Sequence, residues 1–349
     1  MSVPKPKLSP AYAPVRPDWL DSRPEPVLEP DLPIIDAHHH LWDREGNRYL
    51  LDELLRDTGT GHRVEATVYV QARSMHRECG PAEFQPVGEV EFVNGVAAMT
   101  ASGIYGDIRA CAGIVGYTDL TLGDRVEPAL EALVRAAPDR FRGIRTMTAY
   151  HPSPEIVSAI VRPPPSLMME ARFRQGVARL EQHGLSLDIW AFHTQLDEVL
   201  DLARAFPGIT MVLDHCGGPL GIGPYAGRRA EVLAEWTTSI RRIAACPNVV
   251  VKLGGLAMHV SGFDFHERPL PPSSEELAEA WRPYVETCIE AFGARRCMFE
   301  SNFPVDKGMC GYAAAWNAFK RLAASGSAEE KAALFAGTAR SVYRLPMEA

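Results

Sequence analysis

The sequence predicts a single (β/α)8 barrel, an α/β fold, preceded by an extended proline-rich arm. Three observations point there. Eight short runs rich in apolar and β-branched residues recur along the chain, and the longer segments between them place apolar residues three and four apart, as helices packed on a sheet do. Polar residues able to do chemistry also recur just past those runs, at the barrel rim where active sites are built.

The elements follow in order. Residues 1–32 form the arm: nine of the 28 prolines lie within the first 33 residues, with almost no periodic apolar pattern. Residues 33–349 form the barrel. Its strands are expected near 33–38, 66–71, 110–116, 142–148, 185–191, 209–214, 249–253 and 297–301, and segments such as Gln195–Ala205 and Ala230–Ala244 read as the helices between them. Eight alternations in one chain suit a closed barrel better than an open doubly wound sheet with two domains. The segments Arg73–Glu91 and Met258–Pro272 are long enough to form lids over one end, where specificity would lie.

Composition excludes several function classes. A chain of 349 residues that is 46% hydrophobic can bury a large core. A net charge of −8, with no basic run, argues against a nucleic-acid partner. No apolar stretch is long enough to span a membrane, and no signal peptide is evident. The seven cysteines are scattered without a CxxC pair, which fits free thiols in a reducing, cytoplasmic setting. The expected partner is a small-molecule substrate, and the arm makes a homodimer reasonable.

The densest chemistry lies at residues 34–43, IIDAHHHLWD. Strand alternation places Asp36, His38 and His40 on one face and His39 on the other. Past strand 2 stand Gln71 and Arg73; on strand 4, Arg145; past strand 5, His193; past strand 6, Asp214 and His215; on strand 7, Lys252; and at strand 8, Glu300, Asn302 and Asp306. Each has a plainer reading. Read plainly, His38, His40 and His215 are satisfied structural histidines, His193 is a helix cap, Glu300 is a buried partner of Lys252 or Arg145, and these two cations are internal salt bridges. His39, with no partner on its face, reads as structural. The convergence of imidazoles and carboxylates at one rim favours a site.

Asp-x-His-x-His at 36–40, His-Cys-Gly-Gly-Pro at 215–219 and Glu-Ser-Asn-Phe-Pro-Val-Asp at 300–306 together resemble the amidohydrolase superfamily. Within it, residues 33–346 are similar to the lactonase-like branch of TIM-barrel hydrolases that includes 2-pyrone-4,6-dicarboxylate lactonase and the sugar lactonases. The resemblance implies hydrolysis of a small ester or lactone, carboxylate-bearing or sugar-like. His38, His40 and His215 would polarise the carbonyl, directly or through a divalent metal such as zinc, since members of the branch differ in whether they need metal. Gln71, Arg73, Arg145, His193 and Lys252 would contact substrate. One departure stands out. The branch commonly closes strand 8 with Gly-Ser-Asp-Trp-Pro, whose aspartate activates water, whereas this chain has the neutral Asn302, leaving Glu300 or Asp306 to act as base. A metal-dependent decarboxylase of the same superfamily, or a non-catalytic ligand-binding barrel, are the rival readings.

Overall fold

The computed structural model describes residues 12–157 and 161–346. The first eleven residues of the expected arm and the last three of the barrel segment lie outside the described residues. Eight parallel strands form one sheet in sequence order: β1 (Ile34–His39), β2 (Val64–Val70), β3 (Arg109–Gly116), β4 (Phe141–Met147), β5 (Ser186–Trp190), β6 (Met211–Leu213), β7 (Val249–Leu253) and β8 (Cys297–Phe299). The barrel closes where Asn302 N donates to His38 O at 2.9 Å and His40 N donates to Phe303 O at 2.8 Å. Each strand is followed by a helix: α1 (Leu51–Thr58), α2 (Val87–Ala101), α3 (Glu127–Ala136), α4 (Ala171–Gln182), α5 (Leu196–Ala205), α6 (Arg229–Ala244), α7 (Ser274–Phe292) and α8 (Tyr312–Leu322).

Two apolar layers hold this architecture. Outward-facing strand residues such as Ile34, Tyr69, Ile114 and Leu187 pack under the helices, while Ile35, Ala37, Val68, Val70, Val115, Val212, Val250 and Met298 fill the barrel's interior. Tyr343 and Leu345, beyond the last helix, pack with that inner layer. With its lower half filled by side chains, the barrel leaves room for chemistry only at the strands' C-terminal ends.

Strand β1 departs from simple alternation. Between Asp36, opposite Thr67, and His39, opposite Tyr69, it carries one residue more than β2, a bulge. Asp36 and His39 therefore share the outer face. Asp36 accepts from Ser301 N at 2.9 Å and from the Tyr312 hydroxyl at 3.1 Å, and His39 Nε2 meets Thr67 Oγ1 at 2.8 Å. The expectation that Asp36 accompanies His38 and His40 is thus corrected, and the structural reading of His39 stands.

The described part of the arm has one turn of helix, Pro17–Leu20, where no regular structure is expected from sequence; Pro17 at the first helical position has no N–H to leave unpaired. The arm climbs the barrel wall. Leu28 N donates to Asn317 Oδ1 at 2.8 Å, and the Trp19 indole donates to Arg268 O at 3.0 Å. Lys320 Nζ donates to the carbonyls of Leu28 and Glu29 at 2.7 and 2.8 Å. At the top, Tyr12 stacks on Trp42, with ring centroids 5.9 Å apart and planes 5° from parallel.

Candidate active site

A cavity of about 720 Å³ opens at the C-terminal end of the strands. His40, Gln71, Arg145, His215 and Asn302 reach it from the barrel, Arg73 to His76 and Met258 line it from the two long connections, and Tyr12 reaches it from the arm. Both segments expected to act as lids thus border the cavity, although the first ends inside α2 from Val87.

The imidazoles of His40 and His215 form its floor with that of His38 buried beneath, and the inner nitrogens of the first two have fixed partners. His40 Nδ1 faces Val70 O at 2.8 Å and His215 Nδ1 faces Glu300 Oε1 at 2.7 Å. Each partner can only accept, so both Nδ1 atoms carry protons and both Nε2 atoms keep lone pairs. His38 Nδ1 sits 2.9 Å from Glu300 Oε2, in a bent contact, and 3.2 Å from the Lys252 ammonium. Its Nε2 lies 3.2 Å from that of His40. Because His40 offers a lone pair there, either a proton on His38 or a cation must occupy the space between them. The carboxylate and ammonium beside Nδ1 give a partner to either tautomer of His38.

The loops that place these side chains are tightly determined. His215 and Cys216 adopt left-handed backbone (φ 55° and 53°), followed by Gly217 and Gly218, and the Trp236 indole pins this turn by donating to Cys216 O at 2.7 Å. Such conformations are unfavourable for residues with a Cβ and persist where the surroundings impose them. After β7, Gly254 and Gly255 let the backbone pass against Glu300 and His215; a Cβ on Gly255 would lie 2.4 Å from the His215 ring.

Beneath the histidines lies a buried charge network. Lys252 Nζ lies 2.8 Å from Asp188 Oδ2 and 3.1 Å from Asp214 Oδ1, and Arg145 Nε meets Asp214 Oδ2 at 3.3 Å. The Tyr343 hydroxyl donates to Asp188 at 2.6 Å. Burial alone would raise the Asp214 and Glu300 carboxyls, but Lys252 and His38 hold Asp214 well below its ordinary value, and His215 and His38 bring Glu300 down to about 2. Burial also pushes His40 well below an ordinary histidine, reinforced by His38 and Arg145, and lowers His215 despite Glu300.

Asn302, also left-handed at φ 55°, donates from Nδ2 to Asp306 Oδ1 at 2.7 Å. Its Oδ1 is buried without a partner, and the residue lines the cavity. Asp306 Oδ2 accepts from Ala257 N at 3.1 Å. Asp306 thereby fixes the amide with its oxygen free.

His38, His40, His215, Asn302, Gln71, Arg73 and Arg145 thus gather at or directly under one cavity. Several expected roles change. Glu300 and Asp306 do not border the cavity: Glu300 Oε1 accepts from His215, its Oε2 lies against His38, and the Asp306 oxygens accept from Asn302 and Ala257, which sets both carboxylates back from water in the cavity. Lys252 is fully buried among Asp188, Asp214 and His38, an internal salt bridge rather than a substrate contact. His193 does not line the cavity: its Nδ1 accepts from Leu220 N at 3.3 Å and its ring packs edge-on against Tyr225. The tight metal-capable cluster among the described residues is His38, Asp214 and His215, with donor atoms within 4.8 Å of one another, in place of the His38, His40 and His215 set. Asp188, Trp42 and Trp190 were not anticipated. For Asp188 a signal existed, an acid centred in the apolar run LSLDIWA.

A nearly closed (β/α)8 barrel with clustered histidines and carboxylates at its C-terminal rim defines a protein of the amidohydrolase type. The chain belongs to the amidohydrolase family, whose model matches residues 35–345. It is 32% identical to the uncharacterised protein y4mH of Sinorhizobium fredii, over 90% of this chain and 99% of that protein. It is 28% identical to L-fucono-1,5-lactonase of Burkholderia multivorans, over 89% of this chain and 96% of the lactonase. A crystal structure of an amidohydrolase from B. multivorans with bound zinc superposes with a TM-score of 0.69 at 26% identity, covering 90% of this chain and 99% of that one. These relationships support an enzyme of hydrolase type.

Proposed function

We propose that the protein opens a lactone, or a similarly activated small ester, by attack of water at the cavity floor. One observation carries this reading: the inner nitrogens of His40 and His215 are held by fixed partners, while their outer nitrogens keep lone pairs at a cavity that Asn302, with its unpartnered amide oxygen, also lines. Asn302 Oδ1 orients the attacking water, and His40, neutral at pH 7, takes its proton on Nε2 once His38 carries its own proton on Nδ1 toward Glu300 and releases the His40 lone pair. Its depressed basicity then favours returning that proton to the departing alkoxide. Gln71 and Arg145 contact the substrate's polar atoms, and the guanidinium of Arg73 draws anionic groups to the rim.

The donor set fits a divalent ion. His38, Asp214 and His215 would hold it, and zinc suits these imidazole and carboxylate donors. When bound it would supply a Lewis acid for the carbonyl oxygen. The Nδ1 partners of His38 and His215 would then fix ring orientation, as the outer neighbours of metal-bound histidines do.

The test is a panel of lactones and esters assayed with and without a chelator, with products identified. The expected product is the hydroxy acid. Release of carbon dioxide from an unsaturated carboxylate would favour the decarboxylase reading, and binding without turnover would favour a non-catalytic barrel.

A further inference from the structure

Beside the main cavity lies a second recess of about 270 Å³. Gln71, Arg73, Met147 and Val161 border both spaces, so the recess is a side chamber of the same site. Its polar wall comes from three consecutive strands: Gln71 follows β2, Thr118 follows β3 and Thr146 lies on β4. All three are deeply buried, at 1%, 1% and 6% exposure. Gln71 Oε1, Thr118 Oγ1 and Thr146 Oγ1 each lack a hydrogen-bond partner. A buried polar atom without a partner is costly, and three around one recess are not explained by the packing of the fold. The remaining wall is mixed: Leu120, Leu167 and Phe173 are apolar, while Asp119, Arg73 and Arg162 put charged side chains of both signs on it.

We propose that this chamber is the subsite for a hydroxylated side chain on the substrate, a short hydroxyalkyl or vicinal diol carried by the ring that the histidines open. An amide oxygen needs a donor, which a carboxylate lacks and an alcohol provides. Threonine hydroxyls both give and accept, which again matches alcohols. Leu120, Leu167 and Phe173 suit the carbon chain that carries them. The proposal rests on the lactone-opening reading for its ring but not for its test. A site built to pair with hydroxyls discriminates strongly against an analogue lacking them, because its own polar groups are then left unpaired.

Binding is measured by calorimetry with two lactams, non-hydrolysable counterparts of lactones, one bearing a dihydroxyethyl substituent and the other an ethyl group. The wild type is expected to prefer the hydroxylated lactam by at least about tenfold. Thr118→Val combined with Thr146→Val, close to isosteric, should abolish that preference while leaving the affinity for the ethyl lactam within about twofold. Equal affinity of the wild type for both lactams would overturn the proposal and mark the chamber as water-filled. A preference that survives the double substitution would overturn it too. If the preference is found and lost as stated but no lactone is hydrolysed, the subsite stands and the hydrolase reading fails.

Discussion

Glu300 and His215 form a buried pair: the carboxylate accepts the Nδ1 proton at 2.7 Å and, through the same oxygen, the His215 backbone N–H at 3.2 Å. Its second oxygen lies against His38, so one side chain orients two of the three site histidines. Glu300→Gln would present an amide N–H to one imidazole and force its proton to the cavity side. Turnover should fall roughly 10²-fold, with KM changing far less, as when a group that supports the reacting residues is lost. Steady-state kinetics on the best substrate checks this; near-full kcat would remove Glu300 from the machinery.

His40 and His215 should separate by phenotype. In protein loaded with the proposed divalent ion, His215→Gln should release it, measured by elemental analysis of purified protein, together with activity. His40→Gln should keep the ion and lose turnover by roughly 10²-fold or more. Loss of metal from both variants would reassign His40 as a ligand.

Asn302→Asp should leave activity within about tenfold of wild type or raise it. The new carboxylate would face Asp306, whose carboxyl burial already lifts well above its ordinary value, so Asp306 can stay protonated and donate to it. A loss much beyond tenfold would show that the neutral amide is itself required.

Lys252 balances two buried carboxylates. Lys252→Met leaves Asp188 and Asp214 without their shared cation and should destabilise the fold by about 3–5 kcal/mol, the cost of breaking a buried ion pair from one side. Denaturant unfolding reads this directly. An unchanged midpoint would mean that Arg145 and Tyr343 suffice.

His62 sets a pH dependence remote from the site. Its Nδ1 takes a hydrogen bond from Lys320 at 2.8 Å and its Nε2 lies 3.2 Å from Ala313 O. Burial, reinforced by the Lys320 charge, lowers it to about 4 from an ordinary 6.5. A depressed pKa means that the unfolded chain takes up the proton first. The stabilisation is therefore full above about pH 6.5 and is lost as pH falls through 4. Between pH 7 and 4 the wild type should lose more thermal stability than His62→Gln. Parallel melting curves across that range would count against it.

The eight strands are legible because each is a short apolar run set between helical segments, and all of them begin within two residues of the positions expected from sequence. His38, His40 and His215 are legible because imidazoles rarely close apolar strands without purpose. The orientation of Asp36 is not, since a one-residue bulge inverts a face without leaving any mark in the apolar pattern. Nor do sequence spacings show that Glu300 lies under the histidines instead of beside them. That depends on Gly254 and Gly255 letting a loop from the neighbouring strand cover it. Asp188 and Tyr343 meet only through closure of the barrel, across 155 positions of chain.

The arm's grip on the barrel bears on where this protein can be cut. Asn317 and Lys320, at 0% and 1% exposure, draw their partners from Pro26, Leu28 and Glu29, all upstream of the matched segment that begins at residue 35. A gene trimmed to that segment would encode a barrel in which, along α8, the Asn317 amide has lost both arm partners and the Lys320 ammonium keeps His62 but neither arm carbonyl, with Trp42 uncovered at the cavity mouth. For grafting, tagging or directed evolution, the working boundary therefore lies ahead of Tyr12.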